Sequence, residues 1–217
     1  MVANKTDIDF LIPRRPVVTT DAKPLAEILQ DQGFRQRFKN TTALPIESFV
    51  KELGDTDIEV EFLTDDQARK KSVAVVIPKA GVVAQALTYL EMSLASSVVV
   101  KLPYGANICV VQPSAWVFHK GLTFTRRKAG TPKSVKDLYG IWFVLTMLGN
   151  VSDATWVELK KLQSGQPKSW KKSFNFNLKK WTAKASPRDW TLLLTQDPEQ
   201  RLSKEAFIGL VNKLTSL

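Results

Sequence analysis

Polar and apolar residues alternate along several short stretches of the first 112 residues, as they do in β-strands that bury one face. In D-I-E-V-E-F-L, at 57–63, the apolar side chains would share one face, and Asp57, Glu59 and Glu61 would share the other. The same pattern predicts strands at 5–12 and 34–38, and further strands are predicted at 72–78, 96–102 and 107–113.

Apolar residues at helical spacing occupy the remaining stretches. They predict helices at 21–34, 82–94, 113–127, 134–148 and over much of 151–217. Asp21 would cap the first helix and Gly33 would end it. The fold class is therefore α/β (α+β), with a mixed-sheet domain at 1–112 followed by an all-helical domain at 113–217.

The composition excludes several kinds of protein. A chain of 217 residues with 44% hydrophobic content can bury a core. Its single cysteine, Cys109, and single histidine, His119, allow neither an intrachain disulfide nor a Cys/His zinc site, and they give no support for a Ser/His/Asp triad. We expect no signal peptide and no membrane-spanning segment, and hence a cytoplasmic protein.

The charge is unevenly distributed. Residues 1–100 hold 12 Lys/Arg and 14 Asp/Glu, whereas residues 101–150 hold 7 and 1, and residues 151–217 hold 12 and 6. The net charge of +10 therefore belongs to the C-terminal half. Such asymmetry favours a polyanionic partner for that half, and the alternative is a solvated Lys-rich helical surface.

The stretch K-T-D-I-D-F-L-I-P, at 5–13, places two carboxylates within one strand. Asp7 and Asp9 would point to the same face, where like charges repel. A cation between them would remove the repulsion, and oxygen-only ligands suit Mg²⁺. On this pattern alone, the favoured interpretation is a hydrated polar face.

Further motifs make the pattern more specific. E-V-E-F-L-T supplies a third carboxylate, Glu61, with Glu59 as the same-face alternative. F-H-K-G-L-T-F-T-R-R and K-S-V-K-D-L-Y follow, and they carry Lys120, Arg126, Arg127, Lys136 and Asp137. With Asp7 and Asp9, this order of motifs resembles the polymerase-β-like nucleotidyltransferases over roughly residues 5–148. It is similar in particular to the bacterial branch that includes the abortive-infection type toxins.

The resemblance implies Mg²⁺-dependent (or Mn²⁺-dependent) transfer of a nucleotide from an NTP to an acceptor hydroxyl or phosphate. Asp7, Asp9 and Glu61 would hold the metal, and Lys120 would act in catalysis with them. The nucleotide-binding residues would be Lys120, Arg126, Arg127, Lys136 and Asp137. Arg127 follows Lys120 by seven residues, about two helical turns, and would share its helical face better than Arg126. The expected partners are RNA such as tRNA, through the basic C-terminal half, and an antitoxin protein.

Each assignment has an ordinary structural alternative. For Glu59 alone, the favoured interpretation is the solvent face of an edge strand. Lys120 could instead snorkel from an amphipathic helix, and Asp137 could pair with Lys133 at the i, i+4 spacing.

One family feature is expected to be missing. Family members carry a Gly-Ser or Gly-Gly motif upstream of the Asp-apolar-Asp strand, and Asp7 lies only six residues after Met1. The first domain is thus expected to be incomplete at its N-terminus, and the chain to be an enzyme if that phosphate-binding element is supplied. The alternative is an inactive or truncated member that acts as a nucleic-acid or protein-binding module.

The segment W-K-K-S-F-N-F-N-L-K-K-W, at 170–181, interleaves aromatic residues with lysines. Aromatic rings can stack on unpaired bases while lysines neutralise phosphates. However, Trp170, Phe174 and Trp181 lie at helical spacing, so the favoured interpretation is the buried stripe of an ordinary helix.

Overall fold

The computed structural model describes residues 4–16, 22–39, 44–66 and 74–217. The chain forms two compact units, Met1–Ala95 and Ser96–Leu217. A mixed sheet followed by a helical region confirms the predicted fold class. The domain boundary at 112/113 stays a prediction. No helix in the described part of the chain has the length and apolar character needed to span a bilayer.

The first unit is built around one sheet. Its strands are β1 (Asn4–Leu11), β2 (Arg35–Phe38), β3 (Glu47–Leu53), β4 (Thr56–Asp65), β5 (Ala74–Ile77) and β6 (Val82–Leu87). In the described part of this unit, two short helices accompany the sheet, α1 (Leu25–Asp31) and α2 (Leu90–Ala95). The strand order is β2-β3-β4-β6-β5, and β1 also pairs with β4.

Strand β4 organises this sheet because it pairs along both sides. It is antiparallel to β3 and parallel to β1, and its last residues are parallel to β6. Its predicted apolar face is confirmed, since Val60 and Phe62 are each only 2% exposed. They pack in a core with Phe49, Ile77 and Val82. The polar residues of β4 consequently lie on the opposite face of the sheet.

The predicted helix at 82–94 is wrong over its first half, which forms β6. Gly81 adopts φ +67°, a conformation that favours glycine, and the turn at this residue directs the chain back along β5 as an antiparallel pair. The segment 82–87 is apolar at nearly every position, so its pattern fits either period, and pairing with two neighbouring strands decides the outcome. Asp21, the predicted cap of α1, lies outside the described residues.

The second unit begins with a hairpin of β7 (Ser97–Lys101) and β8 (Asn107–Val111), as predicted. Six helices follow: α3 (Pro113–Thr123), α4 (Pro132–Thr146), α5 (Asn150–Gly165), α6 (Lys168–Lys184), α7 (Pro187–Leu194) and α8 (Lys204–Thr215). Three of them begin at a proline. The N–H of a first helical residue has no acceptor within the helix, and proline has no N–H to leave without a partner. The predicted helix at 113–127 ends early, and a 3-10 turn at Phe124–Arg126 follows it.

Close packing joins α3 to α6. Phe174 on α6 is fully buried and lies 5.1 Å, ring to ring, from Phe118 on α3. Gly121 makes room for it, because a Cβ atom there would lie 2.2 Å from the Phe174 ring. Asn177 adds two hydrogen bonds, donating from Nδ2 to the carbonyls of Gly121 and Leu122 at 3.2 Å each. Helix α6 is therefore held against α3 by close packing of the Phe174 ring and by the hydrogen bonds of Asn177.

Candidate functional site

The acidic residues of β1 and β4 meet through the parallel pairing of these strands. Asp7 is the register partner of Glu59, and Asp9 is the partner of Glu61. Paired residues present their side chains on one face, so the carboxylates share the polar face of the sheet. Among the described residues, carboxylate oxygens of Asp7, Glu59 and Glu61 lie within 4.8 Å of one another. These three side chains form the acidic cluster.

Glu59 overturns the interpretation favoured from sequence. It is only 2% exposed, so it does not belong to a solvent face. The reason is that β4 is not an edge strand: β1 flanks Glu59 on one side and β3 on the other, where Val50 is its partner. Burial of a carboxylate costs free energy unless a cation or hydrogen-bond donors compensate it. Glu59 is therefore the member of the cluster that most needs such a partner.

A lysine outside all of the sequence motifs provides that compensation. Lys39 follows β2, and its Nζ lies 3.7 Å from Oε1 of Glu59 and forms an ion pair with Glu61. The Lys39 side chain is 31% exposed, whereas those of Glu59 and Glu61 are 3% and 14% exposed. The cluster therefore already attracts a cation. No sequence signal could identify this residue, because the sheet brings it to Glu61 from 22 positions away.

Asp7 and Asp9 are both exposed on β1. The structure brings Asp7 and Glu61 together, as the predicted metal ligands require, and adds Glu59 to them. Asp9 lies two register pairs further along the same face, opposite Glu61. Its role as a metal ligand stays a prediction.

The second unit contains a separate cluster of charged residues. Asp137 on α4 is 7% exposed and accepts contacts from two cations. Lys120 on α3 lies 3.1 Å from its Oδ1, and Nε of Arg127 lies 3.4 Å from its Oδ2. Lys120 also stands 5.4 Å from the ring centroid of Trp116. Asp137 thus pairs across elements, which replaces the local pair with Lys133 considered from sequence.

The helical argument for Arg127 is wrong, and the role of this arginine as a nucleotide ligand stays a prediction. Because α3 ends at Thr123, Arg127 does not continue the helix of Lys120, and its backbone is extended. It reaches Lys120 through their shared carboxylate, Asp137. Arg126 and Lys136 are exposed, and their predicted contact with a nucleotide stays a prediction.

The chemistry of the acidic cluster fits a divalent metal. Its donors are all carboxylate oxygens, which suit Mg²⁺ and Mn²⁺, and one of them comes from a buried side chain. The ammonium group of Lys39 already lies beside Glu59 and Glu61. Among the described residues of this unit, Asp7, Glu59 and Glu61 are consequently the ones that could hold such an ion.

Comparison with protein families gives a match over most of the chain. A family model described as nucleotidyltransferase matches residues 1–159, which include the acidic cluster and Asp137 with its two cationic partners, Lys120 and Arg127. No curated protein and no solved structure matches the chain. Since the match covers well over half of its length, the chain belongs to this nucleotidyltransferase family.

Proposed function

We propose that this protein is a metal-dependent nucleotidyltransferase that moves a nucleotide from an NTP to an acceptor hydroxyl or phosphate. The observation that carries the proposal is the acidic cluster, in which Asp7 of β1 meets Glu59 and Glu61 of β4 on one face of the sheet. Family membership gives the reaction class. The cluster supplies the ligands that this chemistry requires.

In the proposed reaction, an acceptor oxygen attacks the α-phosphorus and pyrophosphate leaves. Asp7, Glu59 and Glu61 would hold Mg²⁺ or Mn²⁺, which offsets charge on the phosphate oxygens and lowers the pKa of the acceptor hydroxyl. The rigid pairing of β1 with β4 fixes the spacing of these carboxylates before substrate binds. Asp9 is assigned to the same metal, beside Glu61.

Lys120 and Arg127 are assigned to the phosphates of the NTP. Arginine offers two parallel N–H donors to a phosphate, and lysine offers a compact charge. In the structure both contact Asp137, which orients them and offsets their mutual repulsion. Lys136 and Arg126 are proposed as further contacts to the nucleotide, and Asp137 acts by positioning.

RNA such as tRNA is the proposed acceptor, because the second half of the chain is strongly basic. A toxin role, restrained by an antitoxin protein, is the biological setting that the family resemblance implies. We expect expression in bacteria to arrest growth, and Asp7→Asn to relieve the arrest. Growth unaffected by the unsubstituted protein would contradict the toxin role and leave the enzymatic proposal to the transfer assay.

The decisive experiment incubates the protein with each α-labelled NTP, total cellular RNA and Mg²⁺. We expect labelled RNA from the unsubstituted protein and at least a hundredfold less from Asp7→Asn or Glu61→Gln, which preserve size but remove charge. Asp57→Asn is the matched control, since it lies on the same face of β4 outside the cluster. Label that is absent throughout, or unchanged in the cluster variants, would contradict the proposal.

A second function follows from Lys39. If its ammonium serves as the permanent counter-ion of Glu59 and Glu61, the cluster needs no metal, and the chain is an inactive member that binds nucleic acid or protein. Binding of Mn²⁺, measured by electron paramagnetic resonance, separates the two functions. Tight binding that is lost in Glu61→Gln supports the enzyme, whereas binding that is weak and the same in both supports the module.

A further inference from the structure

Helix α6 presents two very different faces. Its inner face buries Phe174 and Leu178 completely, and Trp181 packs against the rings of Trp190 and Phe207. The packing interpretation of the aromatic segment is therefore confirmed for Phe174 and Trp181. The outer face is different, because it carries Phe176 with 61% of its surface exposed. A single exposed aromatic ring is common on protein surfaces, so the residues around Phe176 decide what this face can do.

Lysines surround this exposed ring. Lys180 Nζ stands 5.4 Å from the Phe176 ring centroid, and a shallow depression is lined by Phe176, Lys179, Lys180 and Lys184. At about 100° per residue, Lys172 and Lys180 lie roughly 40° to either side of Phe176. Lys168, Lys172, Lys179, Lys180 and Lys184 are all exposed. We call these five lysines with Phe176 the outer face of α6.

The charged residues of α6 and of the segments that flank it are all basic. Residues 159–188 contain nine Lys or Arg residues and no Asp or Glu. On a typical solvated helix, lysines alternate with acids at i, i+4 spacing, which relieves their repulsion. Here no acid in the helix offsets the lysines. Their mutual repulsion slightly destabilises the helix, and their summed charge attracts a polyanion strongly.

We propose that the outer face of α6 binds a single-stranded RNA segment. The lysines neutralise successive phosphates, and Phe176 stacks on an unpaired base between them. The single exposed ring favours single strands over a duplex, whose bases are already stacked on one another. A membrane surface is a poorer fit, since the apolar side of an interfacial helix must be free to enter lipid, and here it is buried in the protein core.

The proposal deepens the proposed function, because it gives the RNA acceptor a binding surface, but binding itself needs neither metal nor nucleotide. A fluorescein-labelled 20-nucleotide U-rich RNA is titrated with the full chain, and anisotropy gives Kd between 50 and 300 mM salt. In Lys172→Gln/Lys180→Gln we expect Kd to rise about tenfold at 0.1 M salt and the slope of log K against log salt to fall by about 1.4. The matched control is Lys160→Gln/Lys161→Gln, which removes equal charge from exposed positions on α5.

Stacking is tested separately from charge. Phe176→Leu keeps an apolar side chain but removes the aromatic ring, and we expect Kd to rise at least about fivefold with an unchanged salt slope. Because Phe176 is exposed, the substitution leaves the core intact, and circular dichroism verifies the fold. Duplex RNA should bind more weakly than the single strand. Vesicles containing phosphatidylserine should not bind.

Three results would overturn the proposal. They are equal weakening by both double substitutions, an unchanged Kd in Phe176→Leu, and binding to the vesicles in preference to the RNA. Failure of the proposed enzymatic function is recognised independently. Asp7→Asn should lose nucleotide transfer while its RNA affinity stays unchanged, so a protein that binds RNA but never transfers a nucleotide retains this surface and loses only the enzymatic proposal.

Discussion

At the scale of single residues, Lys39 and Glu59 are the most informative pair. Removing the ammonium in Lys39→Met leaves Glu59 buried among negative groups, so we expect the free energy of unfolding to fall by about 1–3 kcal/mol without metal. Mn²⁺ should then restore more stability to this variant than to the unsubstituted protein. Urea unfolding followed by circular dichroism, with and without Mn²⁺, measures both effects.

The control for this variant is Lys79→Met, which removes an exposed lysine of the same unit. Its stability should change little, since isolated surface charges contribute roughly 0–1 kcal/mol. Equal responses of the two variants to Mn²⁺ would show that Lys39 does not compete with a metal for Glu59 and Glu61.

Asp197 gives a residue-scale prediction for acid stability. Burial alone would raise the pKa of its carboxyl, but backbone N–H donors of Leu202, Arg201 and Glu199, with the charge of Arg201, outweigh burial and lower the pKa. The Leu202 bond measures 2.9 Å. A carboxyl whose pKa is lower in the folded state stabilises the fold above its unfolded pKa, about 3.9, and loses that contribution as the pH falls further.

We therefore expect Asp197→Asn to be less stable than the unsubstituted protein at pH 7, because one of its acceptor oxygens becomes an N–H₂ group facing donors. The difference should shrink as the pH falls below about 4. Urea unfolding from pH 7 to pH 2.5 tests this. Glu158→Gln, at a half-buried position on α5, is the control. A difference that stays constant over the pH range would contradict the assignment.

At the scale of elements, the close packing of α3 against α6 requires the absence of a side chain at Gly121. A methyl group at Gly121 would lie 2.2 Å from Phe174, so Gly121→Ala should destabilise the protein by about 1–3 kcal/mol despite alanine's better helix propensity. Gly209 is the matched control on α8, because nothing lies within 4 Å of its added Cβ, and Gly209→Ala should stabilise by about 0.5–1 kcal/mol. Thermal unfolding measures both.

Rescue makes this test specific to packing. Phe174→Leu in the Gly121→Ala background should recover part of the lost stability, because the smaller side chain leaves space for the methyl group. A double variant whose loss equals the sum of the two single losses would show that the methyl group and the ring do not meet.

Elements with a clear period were predictable from sequence, and those with an ambiguous one were not. Strand β4 alternates from 57 to 62 and was predicted closely. Strand β6 is apolar at nearly every position, and pairing on both sides decides its state. Arg127 shows a second limit: the sequence pattern placed Arg127 on the helix of Lys120, but that helix stops at Thr123.

At the scale of the whole molecule, the two units differ in net charge, and the acidic cluster lies in one of them. Residues 1–95 have a net charge of −2 and hold the acidic cluster, whereas residues 96–217 have +12 and hold Lys120 and α6. This division was visible in the sequence, because it needs only residue counts. The composition of the cluster was not, since the partners of Glu59 are set by strand pairing across distant parts of the chain.

The extent of the second unit can be tested by fragments. All six tryptophans lie within Ser96–Leu217, so intrinsic fluorescence reports on this unit alone. Its buried core comes from the helices, among them Phe118, Phe174 and Phe207, while β7 and β8 are almost wholly exposed. A fragment with its own core can fold alone. We expect residues 96–217 to unfold cooperatively in urea, with a tryptophan emission maximum like that of the full chain.

A second fragment, residues 113–217, decides where the helical domain begins. Because the hairpin contributes little buried surface, its removal should lower the free energy of unfolding by no more than about 1 kcal/mol, given that an isolated two-stranded hairpin is only marginally stable. That result would place the boundary at 112/113, as predicted from sequence. If the shorter fragment loses its cooperative transition while the longer one retains it, the hairpin belongs to the folding unit and the boundary lies at 95/96. Loss of the transition in both would show that the helices need the first unit in order to fold.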